Sequence, residues 1–240
     1  MKNIIIAALF IIFNGTLPIA LAENISDGYA NGYIETSKSS NIIESSKVEV
    51  IEFFSYGCPH CDLLDGKLNA WAAKNSQKIS FRRIHVFFGE NTAQQQRLYF
   101  ALDYMKKESS VRKQVFDEIH KKNVRLNKLE EITRLVKENG ISEQEFLNAY
   151  NSPIVSSRVK EASLFQKSLG VRSIPTILVD QKFLTRPDFF QIPPSDKKSW
   201  ISDFFSTAAK PAKKTDFEIE DAMFSLLDKL VLDRTKARNR

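Results

Sequence analysis

Cys58 and Cys61 are the only two cysteines in a chain of 240 residues, and Pro59 and His60 stand between them. A pair at this spacing can open and close a disulfide if one sulfur is held as a thiolate. A cysteine at the start of a helix meets that condition, because it faces backbone N–H groups with no partner inside the helix and the positive end of the helix dipole. The dipole contributes about 0.3 to 2 kcal/mol, and a shift of one pKa unit corresponds to about 1.4 kcal/mol. It therefore lowers the Cys58 pKa only modestly, and any larger depression must come from N–H···S hydrogen bonds in the turn and from His60. On this reading Cys58 is the exposed attacking thiolate and Cys61, one turn in, the buried resolving thiol. A stabilised thiolate stabilises the reduced pair, so the disulfide form is readily reduced, which is the property of a disulfide donor.

Other chemistries compete for the same pair. Half of a zinc site would need two further ligands, and the chain offers only His60, His85 and His120 besides carboxylates, in no paired ligand spacing. The sequence therefore asks for no metal and no cofactor. An inert disulfide, or two core thiols, is the remaining alternative. His85 at a strand end and His120 within a helix read as structural or solvated groups, and Trp71 reads as core.

Glu52 precedes the pair in an apolar stretch. Strand alternation places Val48, Val50, Glu52 and Phe54 on one face and Glu49, Ile51 and Phe53 on the other. A carboxylate among such neighbours is expected to be buried, and burial raises its pKa. It either relays the proton to or from Cys61 during exchange or simply finds water or a lysine. Ile174-Pro175 opens a later strand, but only about 5 to 6% of X-Pro bonds in folded proteins are cis, so position alone does not fix the isomer.

The elements that must hold these residues follow from periodicity. Val48 to Phe54, VEVIEFF, has the β-branched and aromatic content of a strand. A helix starts near Pro59, a residue suited to the first helical position, and carries Leu64, Leu68, Trp71 and Ala72 on one side. Lys78 to Phe88 is the next strand, and YIE around Tyr33 an edge strand. From Thr92 to about Tyr150 the pattern is helical throughout, with Gly140 as a stop and Ser142-x-x-Glu145 as a capping box. Pro153 to Leu169 is a further helix closed by Gly170. VRSIPTILVD then supplies a strand and KFL its hairpin partner, and a short helix is expected from Ser195 to Ala208. An amphipathic helix runs from Asp216 to about Lys236 with Phe217, Met223, Phe224, Leu227, Leu230 and Val231 on one side. Strand, C-x-x-C turn, helix and strand early, then a proline-entered hairpin and a helix late, is the order of an α/β thioredoxin-like fold with an inserted all-helical domain.

Lys2, the apolar run IIIAALFII and an A-x-A end at Ala22 have the anatomy of a secretory signal. The run is shorter than the about 20 residues of a membrane-spanning helix. The expected organisation is a signal peptide at 1–22, a thioredoxin-like part at 23–90, an inserted helical domain at 91–152, and a second thioredoxin-like part at 153–240 with an extended loop at 185–215. Losing Lys2 with the signal takes the formal charge from +6 to +5. Basic and acidic residues alternate along the helices, which reads as solvated faces and excludes a nucleic-acid groove. Export to an oxidising compartment suits a chain whose cysteines exchange.

The stretches Val50-Ile51-Glu52-Phe53-Phe54-Ser55-Tyr56-Gly57-Cys58-Pro59-His60-Cys61 and Leu169-Gly170-Val171-Arg172-Ser173-Ile174-Pro175-Thr176, with the helical segment between them, resemble the DsbA family of exported thiol:disulfide oxidoreductases. The resemblance implies Cys58 as nucleophile and Cys61 as resolving thiol, with Pro59 and His60 as the intervening dipeptide. It implies Glu52 as the buried glutamate and a cis Ile174-Pro175 bond that presents backbone to an extended substrate. Ile174 is apolar and β-branched, where oxidases of this kind usually carry valine and isomerases often threonine, which tilts the reading to an oxidase. The partners so implied are reduced or unfolded exported proteins and a quinone-linked membrane reoxidant of the DsbB type, in the periplasm, with no nucleic acid and no stable membrane insertion. A departure is the long connection from Thr185 to Thr215, including RPDFFQIPPSDKKSW, where the family has a short one.

Isomerase or reductase chemistry is the alternative on the same fold. Classical isomerases carry a sizeable N-terminal dimerisation domain, for which the lead before Val48 is too short. A chaperone-like binder of the same fold would not need an intact CPHC.

Overall fold

The computed structural model describes residues 30–36, 46–191 and 214–238. The proposed signal, most of the long connection and its expected helix lie outside the described residues. Among the described residues, five strands form one mixed sheet: β1 (Ile34–Glu35), β2 (Val48–Phe54), β3 (Ile79–His85), β4 (Thr176–Val179) and β5 (Phe183–Thr185). Their spatial order is β1-β5-β4-β2-β3, with β2 and β3 parallel and the other pairs antiparallel. A parallel pair needs a crossover, and α1 (Pro59–Lys74) supplies it between β2 and β3.

The inserted helices are α2 (Glu90–Tyr104), α3 (Glu108–His120), α4 (Leu129–Glu138) and α5 (Glu143–Tyr150), followed by α6 (Pro153–Ser168). The capping-box serine works as the spacing predicts: Ser142 Oγ accepts the Glu145 N–H at 3.4 Å. A 3₁₀ turn (Pro187–Phe190) follows β5, and α7 (Asp216–Arg238) closes the chain.

Both faces of the sheet are covered, so β2 is apolar on both sides. Val48 and Val50 pack with Leu64, Leu68 and Trp71 of α1 and with Met223, Leu227 and Leu230 of α7. Ile51 and Phe53 belong to a second core with Leu98, Phe116, Phe146 and Val155 from the helices on the other side. Alternation put Phe54 with Val48 and Val50, but its ring joins this second core, edge-on to Tyr56 at 5.2 Å and to Tyr99 at 5.3 Å. The inserted helices supply Tyr99 and Phe116 to its surroundings there, and the turn after β2 supplies Tyr56.

Two expectations are corrected at element ends. The strand expected to reach Phe88 stops at His85, with Val86 still bonded to the Phe54 carbonyl at 2.8 Å. Beyond that β2 has turned away, and Phe87 and Phe88 are exposed. Phe217 is 63% exposed rather than on the buried side of α7, whose stripe runs Ile219, Met223, Leu227, Leu230 and Val231. Its ring lies under the Lys67 ammonium at 5.4 Å.

Candidate active site

The site begins where β2 ends. Ser55 to Cys58 form a tight turn in which the Cys58 N–H donates to the Ser55 carbonyl at 3.0 Å. Cys58 then caps α1 with extended backbone, φ −94° and ψ 113°, and Pro59 takes the first helical position. Both cysteines are free thiols, Cys58 half-buried and Cys61 buried. The Cys61 N–H points at Cys58 Sγ over 3.4 Å.

Sequence reasoning asks for N–H···S contacts to lower the Cys58 pKa, and they are present. The contact with the Cys61 thiol lowers it most, burial opposes, and the backbone N–H groups of Cys61 and His60 add to the lowering. His60 acts through its backbone, since its imidazole is exposed. Burial, with the neighbouring Cys58 thiolate and Glu52, pushes the Cys61 thiol far up. One sulfur is thus prepared to carry charge and the other to hold its proton.

Glu52 is 1% exposed, and its pKa is raised by burial against the opposing charges of Arg83 and Arg112. Its partner is an arginine directly across the parallel ladder, which neither alternative drawn from the sequence had named. Arg83 also approaches Asp65 at 3.4 Å, and Asp65 lies 3.3 Å from Arg112, whose guanidinium reaches Glu108 at 2.6 Å. Glu108 accepts the Tyr56 hydroxyl at 2.7 Å, and Arg112 sits 4.6 Å over the Phe54 ring. A continuous run of alternating charges therefore joins Glu52 to the side chain two residues before Cys58.

The turn is also gripped by its backbone. His85, fully buried, accepts the Tyr56 N–H at Nε2 over 3.1 Å and faces the Val86 carbonyl with Nδ1 at 3.0 Å, which assigns its proton to Nδ1. Burial lowers its pKa to about 3, so it is neutral in ordinary conditions. His120 donates from Nε2 to the Tyr56 carbonyl at 2.8 Å. Gln95 Oε1 accepts the Gly57 N–H at 3.1 Å, while its amide nitrogen donates to the Arg125 carbonyl at 2.7 Å. A Cβ on Gly57 would meet Gln95 Oε1 at 3.2 Å, so a side chain there would press on the amide that holds the turn. Tyr56, Arg83, Gln95, Glu108 and Arg112 were not singled out from the sequence. His85 and His120 read as structural or solvated, and both hold the backbone of Tyr56 in the Ser55–Cys58 turn.

The Ile174-Pro175 bond is cis, and Cys58 Sγ lies 3.8 Å from the Ile174 carbonyl. Thr176 Oγ1 donates to the Ser173 carbonyl at 2.8 Å, and Arg186 Nη1 donates to Ser173 Oγ at 2.7 Å. On one side of this loop is a groove of about 280 Å³ lined by His60, Leu63, Ile174, Pro175, Pro187 and Asp216 among others. Pro187 brings part of the long connection to the groove wall. On the other side is a cavity of about 390 Å³ that reaches Cys58 itself.

Comparison with known proteins follows this geometry. The domain family described as "DSBA-like thioredoxin domain" matches residues 49–192. The thiol:disulfide interchange protein DsbA of Azotobacter vinelandii is 32% identical over 189 residues, covering 76% of this chain and 87% of that protein. The protein of the same name from Pseudomonas aeruginosa is 28% identical over 183 residues, covering 76% and 86%. The crystal structure of Pseudomonas aeruginosa DsbA superposes with a TM-score of 0.63 at 27% identity, over 72% of this chain and 88% of that one. The oxidoreductase NmDsbA1 from N. meningitidis has the same TM-score, 0.63, at 21% identity, over 85% and 93%, a likeness of fold.

Proposed function

Since the chain belongs to the DSBA-like thioredoxin domain family and is a thiol:disulfide oxidoreductase, we propose that it acts as a disulfide donor to exported polypeptides, with Cys58 as nucleophile and Cys61 as resolving thiol. One observation carries the direction of transfer: the Cys58 sulfur is held by the Cys61 thiol and two backbone N–H groups, while Cys61 is buried with its pKa raised. These contacts favour the reduced pair and so make the disulfide oxidising.

In the donor step a substrate thiolate attacks Cys58 Sγ, the Cys58–Cys61 bond breaks, and Cys61 leaves as a thiolate that takes up a proton. A second substrate thiolate then attacks the substrate sulfur of the mixed disulfide, and Cys58 leaves as a thiolate. Two electrons pass from substrate to protein. Glu52 is the proton source for Cys61 in this reading, its raised pKa bringing it nearer to the operating range of a relay. Pro59 and His60 set the turn that delivers the backbone N–H groups. Ile174 and Pro175 present backbone to the substrate strand beside Cys58.

A quinone-linked membrane protein of the DsbB type restores the disulfide by taking the two electrons, and cleavage near Ala22 releases the mature chain into the periplasm. No described helix is long and apolar enough to cross a membrane.

The test is equilibration of the purified protein against glutathione redox buffers, together with oxidation of a reduced dithiol peptide. An oxidising couple and peptide oxidation are expected. A potential near that of thioredoxin would assign the chain to reductase chemistry.

A further inference from the structure

The cavity of about 390 Å³ on the helical side of the nucleophile is lined by Cys58, Gly57, Phe88, Ile119, Arg125 and Asn127 among others. Among the described residues, Arg125 is the only charged side chain in that lining. The loop that carries it is basic, KKNVRLNK from Lys121 to Lys128. Lys121 and Lys122 are engaged with Asp117 at 2.8 Å and Glu118 at 2.7 Å. Arg125 and Lys128 make no ion pair among the described residues.

The loop is fixed in place. The Arg125 carbonyl accepts from Gln95, the same side chain that holds the Gly57 N–H beside the nucleophile. Leu126, the next residue, is fully buried with φ +50°, a left-handed backbone that a leucine adopts only where its surroundings hold it there. An exposed guanidinium is thus mounted on an anchored loop, at a cavity that opens on the reactive sulfur. Phe88, 44% exposed, and Ile119 give the same cavity apolar surface.

Ile174 lines both this cavity and the groove on the far side of the proline loop. A substrate strand laid along that loop with its cysteine at Cys58 therefore has one flank in each. The carboxylates in the groove lining are Asp188, Asp216 and Glu220, with Asp188 held by Arg186 at 2.7 Å and Glu220 paired with Lys67. The two sides of the nucleophile differ in sign.

From this we infer that the cavity is a specificity subsite for a carboxylate-bearing residue, aspartate or glutamate, flanking the reactive cysteine of the substrate polypeptide, and that Arg125 is its specificity-determining residue. The preorganised loop means that little ordering is needed when the carboxylate arrives. An exposed pair of this kind is worth about 0.2 to 1 kcal/mol, so the effect reads as selectivity among substrates and weakens with salt.

The inference rests on the donor reading, and the experiment separates the two. Reduced dithiol peptides that differ only in carrying glutamate, glutamine or lysine on either side of the first cysteine are mixed with the oxidised protein, and second-order rates are measured by stopped flow. At low ionic strength glutamate on one flank should give a rate about two- to fivefold above lysine there. That ratio should fall towards unity in Arg125→Gln, invert in Arg125→Glu, and shrink with added salt. Equal rates in the wild type, or a ratio untouched by either substitution, overturns the subsite. Serine-for-cysteine peptides, titrated against the oxidised protein, should bind in the same order. If that order holds while no cysteine peptide is oxidised, the donor reading fails and the subsite stands; if the order is absent, the subsite fails.

Discussion

Arg83 Nε lies 2.6 Å from Glu52 Oε2, and the two residues face each other across the parallel β2–β3 ladder. The arginine offsets part of the burial that raises the Glu52 pKa, so the carboxyl stays above its ordinary value without losing a partner.

Glu52→Gln keeps the shape and removes the proton. The step in which Cys61 leaves or is reprotonated should slow about a hundredfold, the lower end of what a positioned proton donor contributes. The pH profile of single-turnover exchange should lose the limb that Glu52 sets, on the high side of the usual carboxylate range. Stopped-flow traces across pH check this, and unchanged rates would leave Glu52 a structural residue only.

Cys58→Ser should abolish exchange, because the attacking thiolate is lost. Cys61→Ser should retain attack by the Cys58 thiolate on a substrate disulfide, displacing one substrate sulfur as a thiolate, and accumulate the mixed disulfide for want of a resolving thiol. Non-reducing gels with a substrate protein that carries a disulfide distinguish the two. A Cys58→Ser protein that still oxidises substrate would remove the assignment.

The lowered Cys58 pKa makes the reduced protein's stability depend on pH. The unfolded thiol takes up a proton below an ordinary value of about 8.5, whereas the folded one does not until the lowered value is reached. The contribution is therefore full above the unfolded pKa and is lost as pH falls through the folded one. The disulfide form lacks it. Paired denaturant titrations should show the reduced form more stable than the oxidised one at neutral pH, with the gap closing on acidification through the Cys58 midpoint.

Gln95→Leu removes the acceptor for the Gly57 N–H and the donor to Arg125. Two hydrogen bonds at about 0.5 to 1.5 kcal/mol each set the stability cost. A purely structural role would stop there. A positioning role also raises the Cys58 pKa, by loosening the turn that aligns the N–H groups on its sulfur, and the ultraviolet absorbance of the thiolate reads that shift directly.

The strands, the catalytic turn and the order of helices were legible because each rests on local signals: VEVIEFF, Pro59 at a helix start, Gly140 and Ser142 at helix ends. Glu52 was legible as buried because alternation is local too. Arg83 was not, since its role depends on the register between β2 and β3, which fixes which residue stands across from the glutamate. Gln95, Glu108, Arg112 and His120 reach the active turn from helices whose docking a linear pattern does not contain. Phe217 misled because an apolar residue at a helix start counts towards the stripe although it overhangs the core.

The grip of His120 and Gln95 on the turn bears on how such a chain could be shortened. Cutting out the inserted helices would leave a sheet with α1, α6 and α7, the outline of a minimal thioredoxin. It would also strip the partner from the carbonyl of buried Tyr56, a loss of about 1 to 3 kcal/mol, and free the backbone that aims Cys58. A trimmed protein would keep its two sulfurs and forfeit the setting that makes one of them reactive. The insertion is therefore a component of the active site that cannot be excised as an accessory.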